Sequence, residues 1–177
     1  MKKRIFCVLI ALLSAMLSTG CSPSPKEVDI YTLLIELCET NGEAYGKEII
    51  YFDRTRNSEN GDFHTLSEEK LGYLYTGRFE PPGCMSRISG YALRMPLDTS
   101  GYEIHIIECL NPSDTSEISS LLQKRIDKLQ GSEILSIAPE TYEMYFRGAV
   151  LYSKGRYVFL LATPDNASVI KRIEKVL

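Results

Sequence analysis

The fold class this sequence predicts is α+β: an antiparallel sheet built in ββαββα order, with helices on one face and a helical flank at its N-terminal side. Two observations carry that expectation. Residues 88–95 (Ile-Ser-Gly-Tyr-Ala-Leu-Arg-Met) and 102–109 (Tyr-Glu-Ile-His-Ile-Ile-Glu-Cys) are β-rich runs separated by Pro96-Leu97-Asp98-Thr99-Ser100-Gly101, and residues 149–153 and 156–162 form a second such pair around Lys154-Gly155. Each pair is followed by a Pro-containing cap and an amphipathic helix, at 111–129 and at 164–177.

Taken in order, the chain opens with Met1-Lys2-Lys3-Arg4, an apolar run over 5–17 broken only by Ser14, and Ser18-Thr19-Gly20-Cys21. A positive n-region, a short apolar h-region and small residues before a cleavage point are the parts of a signal peptide, here 1–20. The run is shorter than the roughly 20 apolar residues that span a bilayer, so an uncleaved anchor is the weaker reading. Cys after a small residue at this place resembles a bacterial lipoprotein lipobox, with Ser18 where Leu is usual and Leu17 one position earlier. Cys21 is then the lipid-attachment residue, and two or more acyl chains at one terminus anchor stably where one does not. Ordinary secretion is the alternative, because Ser18 and Gly20 also satisfy a small-x-small cleavage rule. Residues 21–27 form a tether, whose part beyond Cys21, Ser22-Pro23-Ser24-Pro25-Lys26-Glu27, reaches at most about 20 Å.

The exported remainder, 28–177, reads as one domain. Ile30, Tyr31, Leu34, Ile35 and Cys38 recur at helical spacing and Thr40-Asn41-Gly42 ends that helix. Residues 47–52 suit a short edge strand, 54–62 a loop, and 66–74 a short helix with Glu68 and Glu69 in its first turn, where negative charge favours the dipole. Residues 76–84, rich in Gly and Pro, break regular structure, so the N-terminal third is expected to be an irregular flank. In the first hairpin, alternation puts Tyr102, Ile104 and Ile106 on one face and Glu103, His105 and Ile107 on the other. Asp114 and Glu117 have capping-box spacing for a helix buried along Ile118, Leu121, Leu122, Ile126 and Leu129 and ended by Gly131. A helical turn follows at 139–146. Gly155 supplies the positive φ of the second hairpin turn, and the last helix buries Val169, Ile170, Ile173, Val176 and Leu177. Lys124-Arg125-Ile126-Asp127-Lys128-Leu129 recurs as Lys171-Arg172-Ile173-Glu174-Lys175-Val176. Duplication of a unit explains the match, and so does convergence on one polar–apolar rhythm.

Composition bounds function more than it reveals it. With 20 basic and 23 acidic residues the charge is −3, and loss of Lys2, Lys3 and Arg4 with the leader leaves −6, which argues against a nucleic-acid partner. The apolar fraction of 44% is that of a globular chain. Once Cys7 leaves with the leader and Cys21 carries lipid, Cys38, Cys84 and Cys109 remain, without metal-ligand or redox spacing. Cys38 and Cys109 read as small hydrophobes, while a Cys84–Cys109 disulfide stays open. No phosphate loop, dinucleotide fingerprint or metal-ligand set is present, so neither cofactor nor metal is expected. His105, flanked by Glu103 and Glu108, is the one weak candidate for a polar site. Glu103 shares its face and Glu108 does not, no nucleophile motif accompanies them, and a half-exposed sheet histidine is the plainer reading. His64 is expected to be solvated in a loop. Lys124, Arg125, Lys128, Lys171, Arg172 and Lys175 suit solvated helix faces, or headgroups near a tethered domain. The eleven Tyr suggest stacking in glycan or peptide recognition, or simply core packing.

Tyr102-Glu103-Ile104-His105-Ile106-Ile107 ahead of a Lys/Arg-rich helix, then Ala138-Pro139-Glu140-Thr141-Tyr142-Glu143, then Gly155-Arg156-Tyr157-Val158-Phe159-Leu160-Leu161 resembles a domain of unknown function found in lipoproteins of clostridia and related Gram-positive anaerobes. The likeness covers about 86–177, with a further match at 66–75, and sets 76–87 apart as an insertion. It implies export and a lipid anchor and transfers no activity. The expected function is therefore that of a lipid-anchored protein of the cell envelope, held on the extracytoplasmic face of the membrane. It would act as a non-enzymatic module that binds an envelope protein or polymer. The alternative is an envelope-polymer hydrolase using Glu103 and His105.

Overall fold

The computed structural model describes residues 28–40, 49–53, 65–96 and 101–177. Cys21, the leader, the tether, His64 and the loop expected over 54–62 lie outside the described residues, as do residues 47 and 48 of the expected edge strand.

The fold is α+β, as expected, on a five-stranded antiparallel sheet. Its strands are β1 (Ile49–Asp53), β2 (Ile88–Arg94), β3 (Glu103–Cys109), β4 (Val150–Lys154) and β5 (Tyr157–Ala162), in spatial order β1-β2-β3-β5-β4. Both expected hairpins form, β2 with β3 and β4 with β5, and the extra strand adds to β2 at the edge. Gly155 turns the second hairpin with φ 58°. The helices are α1 (Ile30–Thr40), α2 (Glu68–Thr76), α3 (Thr115–Leu129), α4 (Ser132–Ile137) and α5 (Asn166–Val176).

One expectation needs correction: the helices cover both faces of the sheet. On the first face α2 and α3 pack over Leu93, Ile107, Val158 and Leu160. On the second, α1 and α5 pack over Ala92, Ile104, Ile106, Phe159 and Leu161. The cause is legible in the strands, because β5 reads Tyr-Val-Phe-Leu-Leu-Ala and every residue of it is buried. A strand apolar on both sides must be covered on both sides. The described residues of the N-terminal third are accordingly more than a flank, since α1, β1 and α2 all join the layers of the sheet. Ile30, Leu33, Leu34, Leu37 and Cys38 of α1 supply much of the second core.

β3 and β5 are antiparallel neighbours at the centre, so a twofold exchanging the two hairpins runs perpendicular to the sheet and would carry α3 onto the face it already occupies. Since α5 lies on the opposite face, the two helices that share the Lys-Arg-Ile rhythm do not occupy equivalent places. In both helices the arginine nevertheless reaches a carboxylate, Arg125 to Glu103 and Arg172 to Glu36.

α3 buries Ile118, Leu121, Leu122, Ile126 and Leu129, the stripe its spacing predicts. Its entry is preceded by a 3-10 turn, Pro112–Asp114, that opens on a capping box between Asn111 and Asp114, three residues before the cap the sequence predicts. Its end is not set by Gly131, which at φ −71° instead opens α4. The exit is held by Gln130, whose Nε2 donates to the carbonyls of Phe146 and Arg147, both at 3.2 Å, and of Ala149 at 3.3 Å. Cys38 is buried, and Cys84 and Cys109 are buried thiols that form no disulfide with one another. Burial pushes the Cys109 thiol up to about 12, so it behaves as a small apolar side chain.

Candidate functional site

Two features compete for the role of site: a buried polar cluster that contains both residues picked out by sequence, and an open groove directly above it.

The cluster joins three elements. β3 contributes Glu103 and His105, α2 contributes Tyr75, and α3 contributes Arg125. Arg125 Nε donates to Glu103 Oε2 at 3.1 Å and its Nη2 donates to Oε1, a two-point grip on the carboxylate. His105 Nε2 lies 3.2 Å from Glu103 Oε2, off the line of a good hydrogen bond. On its other side the Tyr75 hydroxyl stands 3.0 Å from His105 Nδ1. The neutral tautomer that fits carries its proton on Nε2, facing the carboxylate, and accepts from the tyrosine at Nδ1.

Expectation and structure differ on exposure. His105 is 0% exposed and Glu103 2% exposed, so the histidine is not half-exposed but sealed beneath α2 and α3. Arg125 likewise leaves the solvated face expected for it and turns into the sheet. Burial holds the imidazole below its ordinary range, opposed by Glu103, so it is neutral at pH 7. Burial alone would raise Glu103, but the His105 N–H turned toward it and the charge and hydrogen bonds of Arg125 outweigh it and hold the carboxyl down at about 2. Burial also raises the Tyr75 phenol well above its ordinary range.

Tyrosine, histidine and carboxylate in a row have the order of a nucleophile, a base and its orienting group. Here all three are sealed from solvent, Tyr75 and Glu103 at 2% exposed and His105 at 0%, so no substrate reaches them in this arrangement. What the cluster does is mechanical: it fixes α2 against α3 over the centre of β3. Removing the hydroxyl with Tyr75→Phe leaves Nδ1 of a buried histidine unpaired and is expected to cost about 1–2 kcal/mol in urea unfolding.

The groove runs between α3 and the segment that follows α2. It encloses about 560 Å³. Leu121 and Cys84, both buried, form its floor, and Glu117 and Lys124 of α3 stand across from Arg78, Glu80 and Pro82. Arg87, 2.6 Å from Glu117, closes one end with an ion pair. Toward the other end, one turn beyond Lys124, Lys128 Nζ sits 5.5 Å from the centre of the Tyr73 ring. Tyr73 stacks on Phe79 with ring centres 4.3 Å apart and planes at 13°.

The opposing wall is built tightly. α2 ends at Gly77, in the left-handed conformation, its N–H bonded to the Tyr73 carbonyl. The chain then doubles back over the helix, so closely that a Cβ on Gly72 would lie 1.8 Å from the Glu80 carbonyl oxygen. Only glycine permits that approach.

Sequence reasoning brought Glu103 and His105 together correctly but missed Tyr75 and Arg125, whose partnership depends on α2 and α3 sharing one face. It also missed the groove. The available signal was 76–87, set apart as an insertion, next to the exposed basic residues Lys124 and Lys128. Among the described residues no group of three His, Cys, Asp or Glu could hold a metal ion, and no helix is long and apolar enough to cross a membrane. No protein-family profile, curated protein or solved structure matches this chain.

Proposed function

We propose that this chain is an exported, lipid-anchored cell-envelope protein whose domain binds a partner rather than transforming a substrate. The leader pattern over 1–20 followed by Cys21 supports export and anchoring. The observation that carries the binding reading is the division of labour on one face of the sheet. The Tyr75–His105–Glu103 cluster is sealed inside, while exposed charged side chains line an open groove, and Lys128, one turn of α3 beyond Lys124, reaches the exposed Tyr73–Phe79 pair. A hydrolase working through Glu103 and His105 would need substrate to reach side chains 2% and 0% exposed. The domain begins beside Tyr157, whose hydroxyl accepts from the Val28 N–H at 3.4 Å, so a tether from Cys21 would hold the turn end of the β4–β5 hairpin near the membrane.

Anchoring is tested by detergent phase partitioning of the natively expressed protein. The wild type is expected to enter the detergent phase and Cys21→Ala to stay in the aqueous phase or the medium. Equal partitioning of the two would remove Cys21 as the anchor.

A further inference from the structure

We propose that the groove between α3 and the 77–84 segment recognises an anionic glycan, a sugar ring stacked on the outer face of Phe79, which Tyr73 backs, and its acidic groups held by Arg78, Lys124 and Lys128. The inference rests on reading the groove as the recognition surface and names the chemistry it takes.

Shape comes first. Glu117, Leu121, Lys124 and Lys128 follow one another along one side of α3, and eleven residues of helix extend about 17 Å. The feature is therefore a track suited to a short stretch of polymer. Arg87 is paired with Glu117 of the groove, and Lys128, one turn beyond Lys124, reaches the aromatic pair.

Charge comes second. Glu117 is engaged by Arg87. Among the described residues Arg78, Lys124 and Lys128 have no ion-pair partner, and of the carboxylates lining the groove only Glu80 shares that condition. The surface thus carries surplus positive charge, although the exported chain as a whole is at −6. Local charge of sign opposite to the net charge marks what a site attracts.

The aromatic pair decides the class of anion. Phe79 is 67% exposed and Tyr73 46%, although they stack on one another. Phe79 is backed by Tyr73, which Lys128 covers in turn, so the outer face of the Phe79 ring is held out in water by a loop that Gly72 lets lie against the helix and that Pro81 and the buried Pro82 stiffen. A rigid exposed apolar platform beside a polar groove marks an interaction site. It matches the C–H face of a sugar ring, which is flat and apolar while its edge carries hydroxyls. Glu80 and the Thr76 hydroxyl line the same groove and can accept hydrogen bonds from those hydroxyls. A polyglutamate chain would gain from the cations but has no flat apolar face to lay on Phe79.

The test is calorimetric titration of the full chain in detergent with hexagalacturonate and a chondroitin hexasaccharide, against neutral maltohexaose and hexaglutamate. At least one anionic glycan is expected to bind saturably, at least tenfold more tightly than maltohexaose, and to weaken as salt rises. Phe79→Ala and Lys124→Glu, both at exposed positions that leave the core intact, are each expected to weaken it at least fivefold. Maltohexaose binding as tightly would overturn the charge requirement. Hexaglutamate binding as tightly, with Phe79→Ala unchanged, would overturn the glycan assignment while Lys124→Glu still identified the groove as a recognition surface. No saturable binding of either anionic glycan would overturn the proposal and leave anchoring through Cys21 to stand on its own test.

Discussion

Glu103→Gln is expected to lower the stability of the domain by about 3 kcal/mol at neutral pH, the low end of what breaking a buried ion pair costs. Glu103 is held by two hydrogen bonds from Arg125 and by the contact with His105, and the substitution leaves the guanidinium aimed at a neutral amide. The low end applies because the Arg125 side chain keeps 14% of its surface in solvent and can turn outward. The same figure follows from proton linkage. In the folded chain the carboxyl is held at about 2, against an ordinary value of 4.5, and at 1.36 kcal/mol per pH unit that difference is about 3 kcal/mol. Because the folded value is depressed, this stabilisation is complete above about pH 4.5 and is lost as pH falls toward 2. The penalty of Glu103→Gln should therefore shrink to roughly 1 kcal/mol at pH 3. His105 acts in the same direction at higher pH. Its imidazole is held below the ordinary 6.5, so the unfolded chain takes up a proton the folded one refuses, and stability begins to fall below pH 6.5. Urea unfolding of wild type and variant between pH 7 and pH 3 reads both effects. A penalty independent of pH would show that the carboxylate is not held as described.

Gly72→Ala is expected to cost a comparable amount, about 3 kcal/mol, in the range for forcing extra atoms into a packed site. In an isolated helix this exchange would gain about 1 kcal/mol, since alanine is the better helix former. Here the new Cβ would meet the Glu80 carbonyl oxygen at 1.8 Å and its carbon at 2.8 Å, backbone atoms that cannot rotate away. The 77–84 segment has to lift off α2, which carries Arg78, Phe79 and Glu80 away from the groove. Gly83→Ala is the control: nothing lies within 4 Å of a Cβ there, and its stability and groove are expected to match the wild type. Hydrogen exchange should locate the change, with faster exchange at the Gly77 amide, which is bonded to the Tyr73 carbonyl. A Gly72→Ala chain as stable as wild type would mean that the segment does not pack back on the helix.

The strands and all helices but α4 were legible in the sequence because each is written with its own period and punctuation: Gly155 in a turn, Glu68 and Glu69 in the first turn of α2, the Ile118-to-Leu129 stripe in α3. The layering was less so. Alternation in β3 separates Ile104 and Ile106 from His105 and Ile107, but it names neither face as the inside, and two polar residues on one face suggested that this face was open. In fact Glu103 and His105 could be buried because Arg125, 22 residues on from Glu103, and Tyr75, 30 residues before His105, supply the charge and the hydrogen bond they need. Nothing local in the chain announces such partners. The groove was hidden for a related reason, since a wall made by an irregular segment folding onto a helix has no periodicity to read.

The central claim, an envelope protein exported and anchored so that its folded domain displays a recognition surface, is tested most directly at the N-terminus of the natively expressed chain. Mass spectrometry of the N-terminal peptide is expected to find a chain that begins at Cys21 with a diacylglycerol on its thiol. A chain that retains Met1, or one that begins near Cys21 without lipid, would contradict the account.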